Sequence, residues 1–316
     1  MTIRFVIDER SIDLNGLSSA AGLEVIEALL EVIEDAQLSG HGVCFDDDLF
    51  HIAFVERRSF WELCHEDSPV YLPPDVRQRA AAAFGRMPRW YEVDGPEPVD
   101  FDVCVDGGPI ETSASVAWAH RQSINGGLRS PACICAFGHR RTGVVPVAVS
   151  SEVKEVWFVA SARHVEEYFR WLIAAYAARP DDFAQLAPYA ITQLLFIDRC
   201  FEGIRKMSRA CRDLAPTIVG HLAACSVEGR RIFRGPWIRA PAEFGSLGIY
   251  IFDENGNTKS NAQARRERRF ELDGEELFFW WHSKIEPHQD RIHICPDKVA
   301  ADGRIIVGIF CSHLTV

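Results

Sequence analysis

The sequence predicts an α+β fold: a mixed helical and antiparallel-sheet body followed by a small C-terminal antiparallel β-sheet module. Three observations carry this expectation. Amphipathic helical spacing recurs early and late in the body, and Gly- or Ser-bounded runs of β-branched and aromatic residues fill its middle. After residue 265 the pattern alternates with period two around turn signals.

Taken in order, residues 3–7 read as a short opening strand. Over 22–37, Leu23, Ile26, Leu30 and Ile33 share a helical face, with Glu24, Glu27, Glu31 and Glu34 mostly off it. Ser39-Gly40 ends that helix. Asp46, Asp47 and Asp48 read as the acidic start of a second helix through Phe50, Phe54, Phe60 and Leu63. Pro73-Pro74-Asp75 starts a third. Strands follow at 100–105, 132–137, 144–149 and 153–159, the last two as a hairpin across 150–152. Val165, Tyr168, Phe169, Leu172 and Tyr176 restore helical spacing, which Arg179-Pro180 stops. Residues 194–206 and 209–224 read as further helix. Segment 253–264, DENGNTKSNAQA, lacks any large apolar residue and reads as a linker. The expected organisation is therefore a body at 1–252, a linker at 253–264 and a module at 265–316.

Composition narrows the function. With 47% hydrophobic and 25% charged residues in 316, the chain can bury a proper core. The charged N-terminal stretch has no apolar run of signal-peptide type, and the longest helix-like apolar run, 171–178, is too short to span a bilayer. A cytoplasmic protein without membrane contact is expected. Ten scattered cysteines with no CxxC pair exclude a zinc ribbon and read as reduced core thiols. The net charge of −11 disfavours a general nucleic-acid binder, yet 259–316 holds nine Lys+Arg against nine Asp+Glu, so the preceding residues carry all of the excess. Walker, GxGxxG and GxSxG motifs are absent from the sequence. Asp8, Glu9 and Asp46–Asp48 can be read as a carboxylate metal site of the PIN-like nuclease kind, but acids at a helix start are more often caps. Gly138-His139-Arg140-Arg141 reads as a basic turn, and His120 and His221 as packed histidines.

The last thirty-five residues hold four of the eleven histidines. Period two puts Trp280, His282 and Lys284 on one side of a strand, and Arg291 and His293 on one side of the next. If these strands pair across Pro287, His282, Lys284, Arg291 and His293 meet on one surface. His288 then sits in the turn and His313 ends a third strand alongside. Metal-free RNA cleavage needs a base for the 2′-hydroxyl, an acid for the leaving oxygen and cations for the phosphorane; His supplies the first two and Lys and Arg the last. A solvated face is the plain alternative. A Zn²⁺ site on His282, His288 and His293 is another, although their spacing fits no standard motif. Arg265, Arg266, Arg268 and Arg269, with His288, are candidate phosphate contacts.

The run WHSKIEPHQDRIHI at 281–294, with IVGIF at 306–310 and His313-Leu314, resembles the C-terminal signature of a bacterial protein group associated with mobile or defence-related loci. Its layout is also similar to RelE-type mRNA interferases over the last fifty residues or so. The RelE resemblance implies a ribosome-dependent RNase of the toxin kind, with the helices at 194–224 supplying the pair that such domains carry before the sheet. The leading expectation is thus a metal-independent ribonuclease without cofactor. Its site is His282, Lys284, Arg291, His293 and His313, and its partner RNA, the ribosome or a protein encoded nearby. A non-enzymatic partner- or nucleic-acid-binding component is the alternative, and a His-ligated zinc hydrolase the second.

Overall fold

Short strands persist where both faces are covered, and Ile3–Ile7 (β1) has the β-branched and aromatic residues for it, with Phe5, Val6 and Ile7 fully buried. The computed structural model describes residues 3–93, 100–136, 138, 142–287, 289–298 and 303–315. It divides into two compact units, Met1–Tyr168 and Phe169–Val316.

In the first unit, Ser18 caps α1 (Ser19–Leu38) by accepting from Ala21 N, and α1 leads to β2 (Gly42–Cys44). α2 (Pro74–Phe84) begins on its Pro, as the pyrrolidine ring favours. β3 (Asp102–Val105), β4 (Ile110–Thr112), α3 (Ala114–Gly126), β5 (Ala132–Ile134), β6 (Gly143–Val149) and β7 (Glu152–Val159) follow. The strands form one sheet ordered β2-β1-β5-β7-β6-β3-β4. β2, β1, β5 and β7 run parallel, and β6, β3 and β4 join antiparallel. The body is therefore half parallel, which the α1 and α3 crossovers make possible. Val6, Cys133, Val145, Val147, Val156 and Phe158 pack against Val116 and Trp118 of α3. Asp46–Asp48 begin a single 3₁₀ turn, Asp47–Phe50, rather than a second helix. Their carboxylates serve local structure: Asp46 caps Asp48 N, Asp47 pairs with Arg89 at 2.9 Å, and Asp48 lies 3.6 Å from Arg10.

α4 (Ala162–Tyr176) straddles the division. The second unit continues with α5 (Pro180–Ala190), β8 (Leu194–Phe196), α6 (Cys211–Arg234), α7 (Ala240–Ser246) and β9 (Ile251–Asp253). Then come α8 (Gly256–Ser260), α9 (Ala262–Glu267), β10 (Arg269–Leu272), β11 (Glu275–Phe278), β12 (Trp281–Lys284), β13 (Arg291–Cys295) and β14 (Ile305–Cys311). β8-β14-β13-β12-β9 form one sheet and β10-β11 a separate hairpin. Asp273 and Gly274, at φ 52° and 79°, close that hairpin, a conformation Gly accepts without strain.

Two expectations fail here. The expected linker is the pair α8 and α9, each N-capped by an asparagine, Asn255 on Thr258 N and Asn261 on Ala264 N. A composition of Asn, Gly, Thr and Ser serves caps as well as coils. Residues 194–206 start as β8, which pairs parallel to β14, and end as a 3₁₀ segment. The C-terminal sheet therefore draws β8 and β9 from upstream of 254, and the division falls at 168 rather than 252. The charge follows the observed division. Phe169–Val316 holds 20 Lys+Arg and 18 Asp+Glu, a net +2, which leaves −13 on Met1–Tyr168.

One face of the five-stranded sheet meets α6: Trp281 packs edge-on to Phe233 with centroids 5.1 Å apart, and His221 bonds Ser283. The other face meets the β10–β11 hairpin through Leu277, Phe279, Phe270, Cys295 and Ile306. The 3₁₀ segment at Cys200–Lys206 lies so near β14 that a Cβ on Gly203 would fall on the Phe310 carbonyl. Gly203→Ala is expected to cost about 1–3 kcal/mol through forced backbone movement. An unchanged melting temperature would show that the contact has slack. Among the described residues no helix is long and apolar enough to cross a membrane.

Candidate functional site

β12 and β13 pair antiparallel in the expected register, His282 opposite His293 and Lys284 opposite Arg291. Ile285 N donates to Asp290 O and Glu286 N to Gln289 O, which closes the turn. Asp290, at φ 58° and fully buried, is held there by Ser208, whose N–H and hydroxyl both donate to its carboxylate.

The four side chains share a face as expected, but that face is not a solvated surface. His282 is 5% exposed and His293 0%. The β10–β11 hairpin and Phe279 fold back over this end of the sheet, a long-range event that period-two alternation cannot report. The rings lie opposite each other, centroids 5.3 Å apart. His293 Nδ1 donates to Phe279 O at 3.1 Å, which leaves Nε2 without a proton and without a partner. His282 Nδ1 also has no hydrogen-bond partner.

Two residues complete the cluster. Glu254, just past β9, is tied by its N–H to Trp280 O, and its Oε1 lies 3.5 Å from His282 Nδ1. Arg268, 0% exposed, donates from Nη2 to that same Oε1 at 2.8 Å and from Nη1 to Ala264 O and Thr315 O. Burial lowers His282 to about 4, outweighing the opposite pull of Glu254, while Arg291 and Lys284 add to the depression. Burial, with the charges of His282 and Arg268, holds His293 well below the usual imidazole range.

The outer end of the face differs. Lys284 is half-buried, its Nζ 4.6 Å from the Phe252 ring centroid. Arg291 Nη1 donates to Nε2 of exposed His313 at 3.2 Å, and His313 Nδ1 donates to Leu314 O. Among the described residues neither Lys284 nor Arg291 is ion-paired with a carboxylate, though they stand directly opposite each other. His288 lies outside the described residues, as do His139, Arg140 and Arg141.

The arginine run separates into different roles. Arg268 is a core residue and not a phosphate contact, because its guanidinium is enclosed by Glu254, Ala264 and Thr315. Arg269 pairs with Glu276 across the hairpin at 3.1 Å. Arg266 is exposed, and Arg265 sits 4.7 Å over the Phe278 ring. Phe278 in turn stacks on Trp280, 5.4 Å apart and 5° from parallel, with Lys259 6.0 Å over Trp280. Glu254 escapes notice in the sequence because 253–264 reads as linker, and the stacking of Phe278 on Trp280 because period two does not report contacts between adjacent strands' ends. The usable signal is Tyr250-Ile251-Phe252, a short β-rich run whose period two places Glu254 on the face of Phe252.

No protein-family model, curated protein or solved structure matches this chain.

Proposed function

We propose that Phe169–Val316 is a module that binds the phosphate backbone of a nucleic acid, RNA foremost, at the rim formed by Lys284, Arg291 and His313. One observation carries this reading. Lys284 and Arg291 are cross-strand neighbours, an arrangement in which like charges repel, and among the described residues no carboxylate offsets either. A bound anion would. Arg and Lys are the side chains that hold phosphate by charge-assisted hydrogen bonds, Arg in bidentate fashion. The stacked Phe278 and Trp280, flanked by Arg265 and Lys259, offer bases a half-exposed aromatic surface, as proteins that bind single strands do. The near-neutral charge of this unit removes the objection raised by the chain's −11.

Binding is favoured over cleavage by His282 and His293. Transesterification needs two proton carriers that reach solvent and titrate near the working pH. Both of these rings are buried, so His313 is the rim's one exposed histidine among the described residues. The ribonuclease reading therefore rests on His313.

The test is fluorescence anisotropy with labelled single-stranded RNA across a salt series. Lys284→Ala/Arg291→Ala is expected to weaken binding at least tenfold. It should also flatten the slope of log K against log salt by about 1.4, the contribution of two phosphate contacts on a single strand. Equal affinity and slope in wild type and double variant would refute the rim as the binding site. RNA cleavage in EDTA that survives His313→Ala would refute its assignment as a proton carrier.

A further inference from the structure

The buried cluster beneath the rim has chemistry that phosphate binding does not use. One donor atom from each of Glu254, His282 and His293 lies within 4.8 Å of the others, and all three side chains are buried. We infer that these three residues bind one divalent transition-metal ion, with Zn²⁺ the ion that the donor set fits.

Three features support this. The first is the pair of buried nitrogens without a hydrogen-bond partner, His282 Nδ1 and His293 Nε2, of which His282 Nδ1 lies 3.5 Å from the Glu254 carboxylate. A native interior rarely leaves such atoms without a partner, and here a cation between them would satisfy both. The second lies in the surrounding hydrogen bonds. Phe279 O takes the Nδ1 proton of His293, which fixes the tautomer whose Nε2 lone pair is available to a metal. Arg268 holds Glu254 through Oε1, which fixes the carboxylate's position. Metal-ligating histidines and carboxylates are oriented by outer partners of this kind. The third is donor identity. Two imidazoles and a carboxylate suit Zn²⁺ and its late first-row neighbours, whereas Mg²⁺ and Ca²⁺ prefer all-oxygen sets.

The Arg268 guanidinium repels a cation, so affinity is lower than for the same triad without it. Near-complete burial assigns the ion a structural role. It would tie edge strand β9, through Glu254, to the β12–β13 hairpin that presents Lys284 and Arg291.

The experiment uses full-length, tag-free protein stripped with EDTA and then titrated with ZnSO₄. Metal content is read by mass spectrometry after desalting, and melting temperature by circular dichroism. One Zn²⁺ per chain and a rise on the order of 5 °C are expected for the wild type. Glu254→Gln and His282→Asn, chosen as near-isosteric changes, should bind substoichiometrically and show no rise. No retained Zn²⁺ in the wild type, or an equal rise in both variants, overturns the inference. If the variants do not fold, Co²⁺ added to wild type decides. Visible d–d bands without thiolate charge transfer agree with a His₂Glu site, and their absence overturns it. None of these readouts involves RNA, so the rim and the metal site stand or fall separately.

Discussion

Glu9→Gln is expected to stabilise the protein by about 3 kcal/mol at pH 8 and by no more than about 1 kcal/mol at pH 5. Glu9 follows the end of β1 and is 1% exposed. Its Oε1 accepts from the Ser113 hydroxyl at 2.9 Å. Burial, reinforced by the neighbouring Asp8 carboxylate, raises its pKa from 4.5 to about 7, against the opposite effect of the Ser115 and Ser113 hydroxyls. The native state therefore keeps a proton that the unfolded chain releases above its ordinary carboxylate pKa. The resulting stability is fully present below pH 4.5. It is lost progressively as pH rises to about 7 and stays lost above that. That shift corresponds to roughly 3 kcal/mol. Glutamine copies the protonated form, keeps an acceptor for Ser113 and carries no charge to bury. Denaturant midpoints of wild type and variant at pH 5 and pH 8 measure it. A variant no more stable than wild type at pH 8 would show that Glu9 ionises normally and that water reaches it.

The same residue shows which kind of information the sequence lacks. Asp8 and Glu9 are conspicuous acids after a strand, and their pattern favours a capping role over a metal site without deciding between them. What separates these readings is the position of Ser113 and Ser115, more than a hundred residues away. The local elements were legible because their causes are local. The spacing of Leu23, Ile26, Leu30 and Ile33 makes α1, the Pro73-Pro74 start makes α2, and the alternation around Pro287 sets the His282–His293 register. β8 was not legible, because 194–196 becomes a strand only by lying beside β14. Nor was the cover over His282 and His293, since Phe270, Leu277 and Phe279 reach that face through a hairpin set by Asp273-Gly274 and not by the pattern of β12 and β13. Of the expected cluster, the placement of Lys284, Arg291 and His313 beside one another was legible from sequence. The buried half was only partly found, because Glu254 and the role of Arg268 depend on reading 253–264 as two capped helices.

Arg268→Met, measured in EDTA, is expected to destabilise the protein by about 3–5 kcal/mol, and adding Glu254→Gln is expected to restore most of that loss. Arg268 is 0% exposed, and its side chain joins three separate pieces of the second unit. It accounts for the Glu254 carboxylate at the end of β9, the Ala264 carbonyl in α9 and the Thr315 carbonyl near the C-terminus. Methionine keeps much of the volume and removes every donor. The single variant leaves a carboxylate buried without its cation, the costly case, since breaking a buried pair costs far more than replacing it whole. For a unit of this size the loss is a fall in melting temperature on the order of 10 °C. With Glu254→Gln the orphaned charge disappears, so the double variant should differ from additivity by at least about 2 kcal/mol. A strictly additive cycle would mean that Arg268 acts through the two backbone carbonyls alone. In that case Glu254 would be held in place without it, and the electrostatic opposition that Arg268 sets against a bound cation would be weaker than the 2.8 Å contact implies.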